Sequence, residues 1–312
     1  MRKGFWRGGR PSERRTKRII LPYCPSANTI PCVGKPIVVA CITDFGSADY
    51  YAGALRGTLA KCLPDCPVVD VTHDIPPGDI RRAALTLWEA QPSFPRRTVF
   101  LLVVDPGVGS LRAAAAFVFP ECTVVCPDNG VATFLMERFP SFRAFALDPR
   151  RIVREPLSNT FHGRDLFAPA AARLARGADP RLLGAALPTP VRIPLPLVQG
   201  DADKGWEGEV LYVDRFGNAV TSIGRISFKG RELAPWLRTG AQAGRLPPHA
   251  EAVLEDGGTV PLGTTYADAK NPSGRIALIG SNGLLEIASW RPGGLDSAPL
   301  RIGSRVRLAN PV

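Results

Sequence analysis

From residue 37 to about residue 150 the chain alternates short, continuously apolar runs with stretches whose apolar residues recur at helical spacing. PIVVACITDFG reads as a buried strand ending at Asp44, DYYAGALRGTLAKCLP as a helix stopped by Pro64, and VVDVTHDIPPGD as a second strand running into a loop. IRRAALTLWEAQPSF reads as a helix, TVFLLVVDPGVG as a third strand, CTVVCPDNG as a fourth, and VATFLMERF as a further helix. Strands that are apolar at every position, rather than at alternate ones, must be covered on both faces. Joined by short helical crossovers, they predict an α/β domain with a mostly parallel sheet. Four of these strands run into loops bearing Asp44, His73 and Asp74, Asp105, or Asp128 and Asn129. In open α/β sheets the ligand sits beyond the carboxyl ends of the strands, so these side chains are expected at one crevice. Taken singly, each is also an ordinary turn or helix-capping residue.

Beyond that domain, LPTPVRIPLPLVQGDADKG is dense in proline and glycine and predicts a linker over 191–205. GEVLYVDRFGNAVTSI, AEAVLEDGGTVPL, RIALIGSNGLLEIAS and SRVRLANPV then give short strands joined by Gly and Pro turns. They predict a smaller all-β, barrel-like domain over 206–312, against 37–190 for the α/β domain. Hydrophobic residues make up 45% of the chain and charged residues 21%, which excludes overall disorder. Its longest apolar runs, Ile37–Ile42 and Val99–Val104, are far below the roughly 18 residues of a membrane span.

The net charge of +11 invites a nucleic-acid reading until it is located. Residues 1–36 hold nine Lys or Arg and one Glu, so +8 sits in a basic extension and the rest of the chain is nearly neutral. The extension lacks the apolar stretch of a secretory signal and reads as disordered, with an organellar transit peptide as the other reading. Seven cysteines, an odd number without a secretory signal, point to a reducing compartment, hence a cytoplasmic protein. Cys62-x3-Cys66 and Cys122-x3-Cys126 lack zinc-knuckle spacing, and Cys41 and Cys126 sit among apolar neighbours as core thiols.

Only three histidines occur in the 312 residues, and one, His162, lies in TFHGRDLFAP beside Arg164 and Asp165. Fifty residues upstream, LLVVDPGVGSLR places Asp105 at the end of a strand and Arg112 just after. An acid, a guanidinium and an imidazole suffice to position and deprotonate a small nucleophile. His73 reads as structural, and His249, between Pro248 and Ala250, as a surface loop residue.

In order along the chain, TDFG, DVTH, VVDPGVGSLR, PDNG, NTFHGRDLFAP, DRFGN and GSNGLLEIA resemble the S-adenosylmethionine hydroxide adenosyltransferases. These are hydrolases related to the adenosyl fluorinases and chlorinases, and the resemblance runs from Lys35 to Val306. It implies hydrolysis of S-adenosylmethionine to adenosine and methionine, with Asp105, Arg112 and His162 as the triad that prepares water. Asp44 falls where the family holds the ribose hydroxyls, and Phe216 and Asn218 at adenine-side positions, with Tyr266 as an aromatic neighbour. Asp49, Asp214 and Ser281 match positions holding the methionine amine and carboxylate, and Asn282 joins Ser281 among the substrate-binding positions. The family assembles as trimers with sites between one subunit's N-domain and the next subunit's C-domain. No cofactor, nucleic acid or membrane partner is implied. Where the halogenases carry a tyrosine and an aromatic residue, this chain has Asp105 and His162, and a carboxylate there would repel halide.

With S-adenosylmethionine as substrate, whose sulfonium already activates C5′, the chemistry calls for water held in line with the C5′–S bond. Asp105 would orient the water, His162 accept or relay its proton, and Arg112 fix the carboxylate. Three rival readings remain open. Asp44, Asp49, Asp105, Asp128 and His162 could form the metal site of a phosphohydrolase. The protein could bind S-adenosylmethionine as a sensor without consuming it. The basic arm could bind nucleic acid.

Overall fold

The computed structural model describes residues 38–153, 156–201, 205–224, 226–227, 232–233, 236, 244–245, 250–269, 274–289 and 300–309. The basic extension, Cys24, Cys32 and His249 lie outside the described residues.

The first domain is built on β1 (Val39–Thr43), α1 (Tyr51–Cys62), β2 (Val68–Thr72), α2 (Ile80–Ala90) and β3 (Thr98–Val103). It continues through β4 (Ala114–Val118), β5 (Cys122–Pro127), α3 (Thr133–Arg138), β6 (Arg143–Leu147) and α4 (Pro149–Ile152). A π-helical turn, Gly163–Phe167, then leads into α5 (Ala168–Ala175), followed by β7 (Gly184–Ala186). The sheet order is β2-β1-β3-β5-β4-β6-β7. The four strands legible as apolar runs, β2, β1, β3 and β5, form its parallel half. The other half, β4, β6 and β7, is antiparallel, so the sheet is mixed. Those three strands are AAAFV, RAFAL and GAA, and alanine and glycine carry little strand signal of their own.

Alternate residues of the parallel strands serve opposite cores. Val39, Cys41, Val99, Leu101 and Val103 pack with Leu55 and Leu59 of α1 and with α5. Ala40, Ile42, Phe100, Leu102 and Val124 pack with Ala83 and Leu87 of α2 and Leu135 of α3. Two-sided burial explains why β1, β3 and β5 are nearly all apolar, whereas the edge strand β2, which carries Asp70, is largely uncovered. Burial pushes the Cys41 and Cys122 thiols up to about 12, and that of Cys126 well above its ordinary value. At neutral pH these three are core residues rather than nucleophiles.

Part of the stretch read as a linker is ordered: Val198–Asp201 forms β8, antiparallel to β9 (Gly205–Val213). Ile193 and Leu195 pack at the junction of the two domains. Proline favours extended backbone, so a proline-rich segment can lie against a sheet as readily as it can span a gap. The second domain continues with β10 (Ala219–Gly224) and three two-residue strands, β11 (Ile226–Ser227), β12 (Glu232–Leu233) and β13 (Gly244–Arg245). Then follow β14 (Glu251–Leu254), β15 (Thr259–Pro261), β16 (Arg275–Ile279), β17 (Leu284–Ser289) and β18 (Arg305–Ala309). Its main sheet is antiparallel in the order β15-β14-β18-β9-β10-β17-β16, and a bridge between Leu262 and Ala277 nearly closes it into a barrel.

Helix α2 fastens one domain to the other. Ala84, Leu85 and Trp88 pack with Leu211, Tyr212, Val220, Trp236 and Leu284, and the Trp88 and Trp236 rings meet edge-on at 4.4 Å. Buried aromatic pairs of this kind add roughly 0.5–1.5 kcal/mol beyond the area they bury.

Candidate active site

The loops after β1, β2 and β3 converge, as the ends of parallel strands in an α/β sheet should. The Gly78 N–H donates to Asp44 Oδ2 at 2.9 Å, and Gly78 sits against Pro106 of the next loop. Burial raises the Asp44 carboxyl above its ordinary range; the Gly78 N–H opposes that shift and neighbouring Asp105 adds to it.

Asp105, Arg112 and His162 form one hydrogen-bonded cluster. Arg112 Nε donates to both Asp105 oxygens, at 2.9 and 3.0 Å, and Nη2 also donates to Oδ2. The same Nη2 lies 2.8 Å from His162 Nδ1. Side-chain exposure is 12% for Arg112 and 5% for Asp105, so this ion pair is largely removed from water. The Arg112 guanidinium also stands 5.3 Å from the Phe167 ring centre. Glycine makes the approach possible. Gly109 has φ +77°, and a Cβ there would meet the Asn159 carbonyl at 2.8 Å, so the Asp105–Arg112 loop lies flush against the segment leading to His162.

The hydrogen bond to Arg112 fixes the histidine's state. A guanidinium can only donate, so His162 Nδ1 must be the accepting nitrogen, and the ring proton sits on Nε2. Burial, then the Arg112 charge, lower the His162 pKa below its ordinary 6.5, against the opposite pull of Asp105 and Asp165. Protonation would turn Nδ1 into a second donor facing Arg112. The acid limb of any activity that needs this cluster is therefore expected to fall below pH 6.5. A profile of kcat/KM against pH checks this, and a limb above that value would contradict the geometry.

Beside the cluster opens a cavity of about 390 Å³, lined by Asp44, Asp49, the rings of Phe45, Tyr50, Tyr51 and Phe161, and by Ser158, Thr160 and Arg164. The rings touch one another, with Tyr51 and Phe161 edge-on at 5.2 Å and Phe45 and Phe161 at 5.7 Å. Arg164 pairs with Asp165 at 2.6 Å and lies 5.0 Å from the Phe161 ring centre. Sequence reasoning missed this aromatic wall, because Tyr50 and Tyr51 read only as the start of an amphipathic helix.

The second-domain positions form a separate group. Asp214 organises the DRFGN turn: its Oδ1 accepts from the N–H of Phe216 and of Asn218, both at 2.8 Å, and its Oδ2 from Asn218 Nδ2 at 3.0 Å. Asn218 is buried, while Phe216 projects with 89% exposure. Ser281 is exposed on the neighbouring turn, where Asn282 Oδ1 accepts from the Leu284 N–H at 3.0 Å. Tyr266 Oη donates to Glu286 Oε2 at 3.4 Å. Glu286, another residue the sequence did not single out, is raised in pKa by burial, then by Asp214, with Glu89 adding to the shift against the Tyr266 hydrogen bond. Its signal was an acid inside the apolar run LLEIA of the strand. Among the described residues, the hydrogen bonds of this group run among its own turns and to Glu89 rather than to Asp105, Arg112 or His162.

The other acid-bearing loops are structural in this chain. Asp128 accepts from the Val191 N–H at 3.0 Å, and Asn129 Nδ2 donates to the Val104 carbonyl at 2.9 Å. His73 Nδ1 lies 2.8 Å from Thr43 Oγ1 and its Nε2 lies 3.0 Å from Asp70. Among the described residues no three His, Cys, Asp or Glu side chains group as metal ligands, so the phosphohydrolase donor set is not assembled. Also among the described residues, no helix is long and apolar enough to cross a membrane.

Two family models match this chain, the SAM hydroxide adenosyltransferase N-terminal domain over residues 39–184 and the corresponding C-terminal domain over 208–306. The chain belongs to the SAM hydroxide adenosyltransferase family. The (R)-S-adenosyl-L-methionine hydrolase of Thermus thermophilus is similar to it, 40% identical over 278 residues, 86% of this chain and 97% of that one. The hydrolase of the same name from Salinispora tropica is 47% identical over 179 residues, 56% of this chain and 68% of that one. A fluorinase of Nocardia brasiliensis is more distant, 24% identical over 282 residues, 82% of this chain and 91% of that one. Among solved structures, the hydroxide adenosyltransferase fold is shared with an uncharacterized conserved protein from Thermotoga maritima. That match has TM-score 0.73 and 27% identity over 88% of this chain and 100% of the other.

Proposed function

We propose that this protein hydrolyses S-adenosyl-L-methionine to adenosine and L-methionine, acting on the (R)-sulfonium epimer named for its hydrolase relatives. The observation that carries the proposal is the buried Asp105–Arg112–His162 cluster, a carboxylate and a neutral imidazole held by one guanidinium. Water oxygen attacks C5′ as the C5′–S bond breaks, and the electron pair of that bond leaves on sulfur. The sulfonium thus departs as the neutral thioether of methionine, a good leaving group that needs no protonation. Arg112 engages Asp105 Oδ2 twice and Oδ1 once, so Oδ1 keeps a lone pair that takes the water proton as the C–O bond forms and then releases it to solvent. His162 donates from Nε2 to the water oxygen and so orients it. From the residue types alone His162 would accept or relay the proton; the Arg112 contact favours Asp105 in that role. Positioning of this kind is worth roughly 7–11 kcal/mol in favourable cases.

Asp44 would take the ribose hydroxyls and the aromatic wall the apolar faces of the substrate. The Asp214 and Ser281 turns would take its amino-acid end, and Phe216, Asn218 and Tyr266 the adenine. Phe216 and Tyr50, 89% and 64% exposed, fit surfaces completed by a second copy, and a homotrimer with shared sites is the assembly we favour. Incubation with each sulfonium epimer separately, followed by chromatography, tests the reaction. Equal amounts of adenosine and methionine are expected from the (R) epimer. Conversion of neither epimer would refute the proposal.

A further inference from the structure

Glu89 stands in the last turn of α2, where an acid meets the negative end of the helix dipole and is locally unfavourable. A residue that breaks a local rule in this way calls for a compensating contact elsewhere. Here the contacts are across the domain junction. Glu89 Oε1 accepts from Tyr212 Oη at 2.5 Å and from Asn282 Nδ2 at 2.9 Å. Arg82 Nη1 stands 3.7 Å from Oε2, and its guanidinium covers the Tyr212 ring at 3.6 Å. With 18% side-chain exposure, the carboxylate is mostly shielded from competing water.

Its two donors sit at informative places. Tyr212 precedes the Asp214–Asn218 turn by two residues, and Asn282 follows Ser281 in the Gly280–Leu284 turn. Because a carboxylate only accepts, it dictates which way the Tyr212 hydroxyl and the Asn282 amide point. Burial and Glu89 itself push the Tyr212 phenol far up, so it remains a donor at all physiological pH values. The other end of the Asn282 amide is spent on the Leu284 N–H.

We propose that Glu89 is a positioning residue that holds these two turns in register, so that a helix of the first domain sets the second-domain half of the substrate site. This rests on the hydrolase reading above, in which the two turns bind the amino-acid and adenine ends of the substrate. Glu89 belongs to neither the Asp105 cluster nor the cavity lining, so it governs binding rather than the chemical step.

The test uses the full-length chain with Glu89→Ala and Glu89→Gln, assayed for hydrolysis of the (R) epimer of S-adenosylmethionine and for equilibrium binding of S-adenosylhomocysteine. Losing hydrogen bonds to a charged acceptor is expected to raise KM and the S-adenosylhomocysteine Kd about tenfold in Glu89→Ala, with kcat within about twofold of the parent. Glu89→Gln keeps an accepting oxygen and is expected to stay within about threefold of the parent on both measures. A melting temperature lowered in both variants with KM and Kd unchanged would overturn the proposal and leave Glu89 as a domain tether. Lowered kcat at constant KM would overturn it too. Should the parent bind S-adenosylhomocysteine, with binding weakened by Glu89→Ala, yet convert no S-adenosylmethionine, the positioning role stands and the hydrolase reading fails. A parent that neither binds nor converts would overturn both.

Discussion

Asp105→Asn is expected to lower kcat by about 100- to 10,000-fold, the usual range for losing the group that takes a proton in the transition state. Asparagine preserves the size of the side chain and can still accept a hydrogen bond from Arg112, so the pocket should keep its shape. Substrate affinity is accordingly expected to move little, and the loss to appear in kcat. His162→Ala is expected to cost less, at least about tenfold, because it removes a donor that orients water rather than the base. Steady-state kinetics of the two variants checks the ranking. A larger loss at His162 would return the base to the imidazole, and normal turnover in both would remove the cluster from the mechanism.

The second large effect is on stability. Arg112→Met leaves the Asp105 carboxylate, 5% exposed, without its counter-charge, and stranding one member of a buried pair costs about 3–5 kcal/mol. At roughly 2–4 °C per kcal/mol for a domain of this size, thermal unfolding is expected roughly 6–20 °C lower. Replacing both partners with apolar residues of similar volume is often neutral or stabilising. The double variant Asp105→Leu, Arg112→Met is therefore expected to regain most of that loss in a thermal melt while remaining inactive. That outcome would mean the pair is kept for chemistry and not for folding. Single and double variants melting alike would show that the pair carries no strained charge.

The sequence and the structure agree most closely where burial leaves little choice. β1, β3 and β5 lie in the sheet interior with both faces covered, so nearly every position is apolar and the runs stand out. Asp105, Arg112 and His162 stand out because their motifs are dense and histidine is scarce. What stays illegible depends on distant partners. β4, β6 and β7 are made of small residues whose strand state is decided by the neighbours they pair with. Glu89 looks like the polar face of an amphipathic helix, because its partners are 123 and 193 residues away in the chain. Val198–Asp201 looks like a linker because its strand signal is weak and its partner is β9. The tautomer of His162, which reassigns the proton, follows from one hydrogen bond that no motif encodes.

The most direct test of water attack at C5′ is product analysis by mass spectrometry after turnover of the (R) epimer of S-adenosylmethionine in oxygen-18 water, with chloride and with EDTA in parallel reactions. Adenosine labelled at its 5′ oxygen is expected, released with methionine and unaffected by the chelator. Unlabelled adenosine, a 5′-chlorinated nucleoside, or loss of turnover with EDTA would contradict that mechanism.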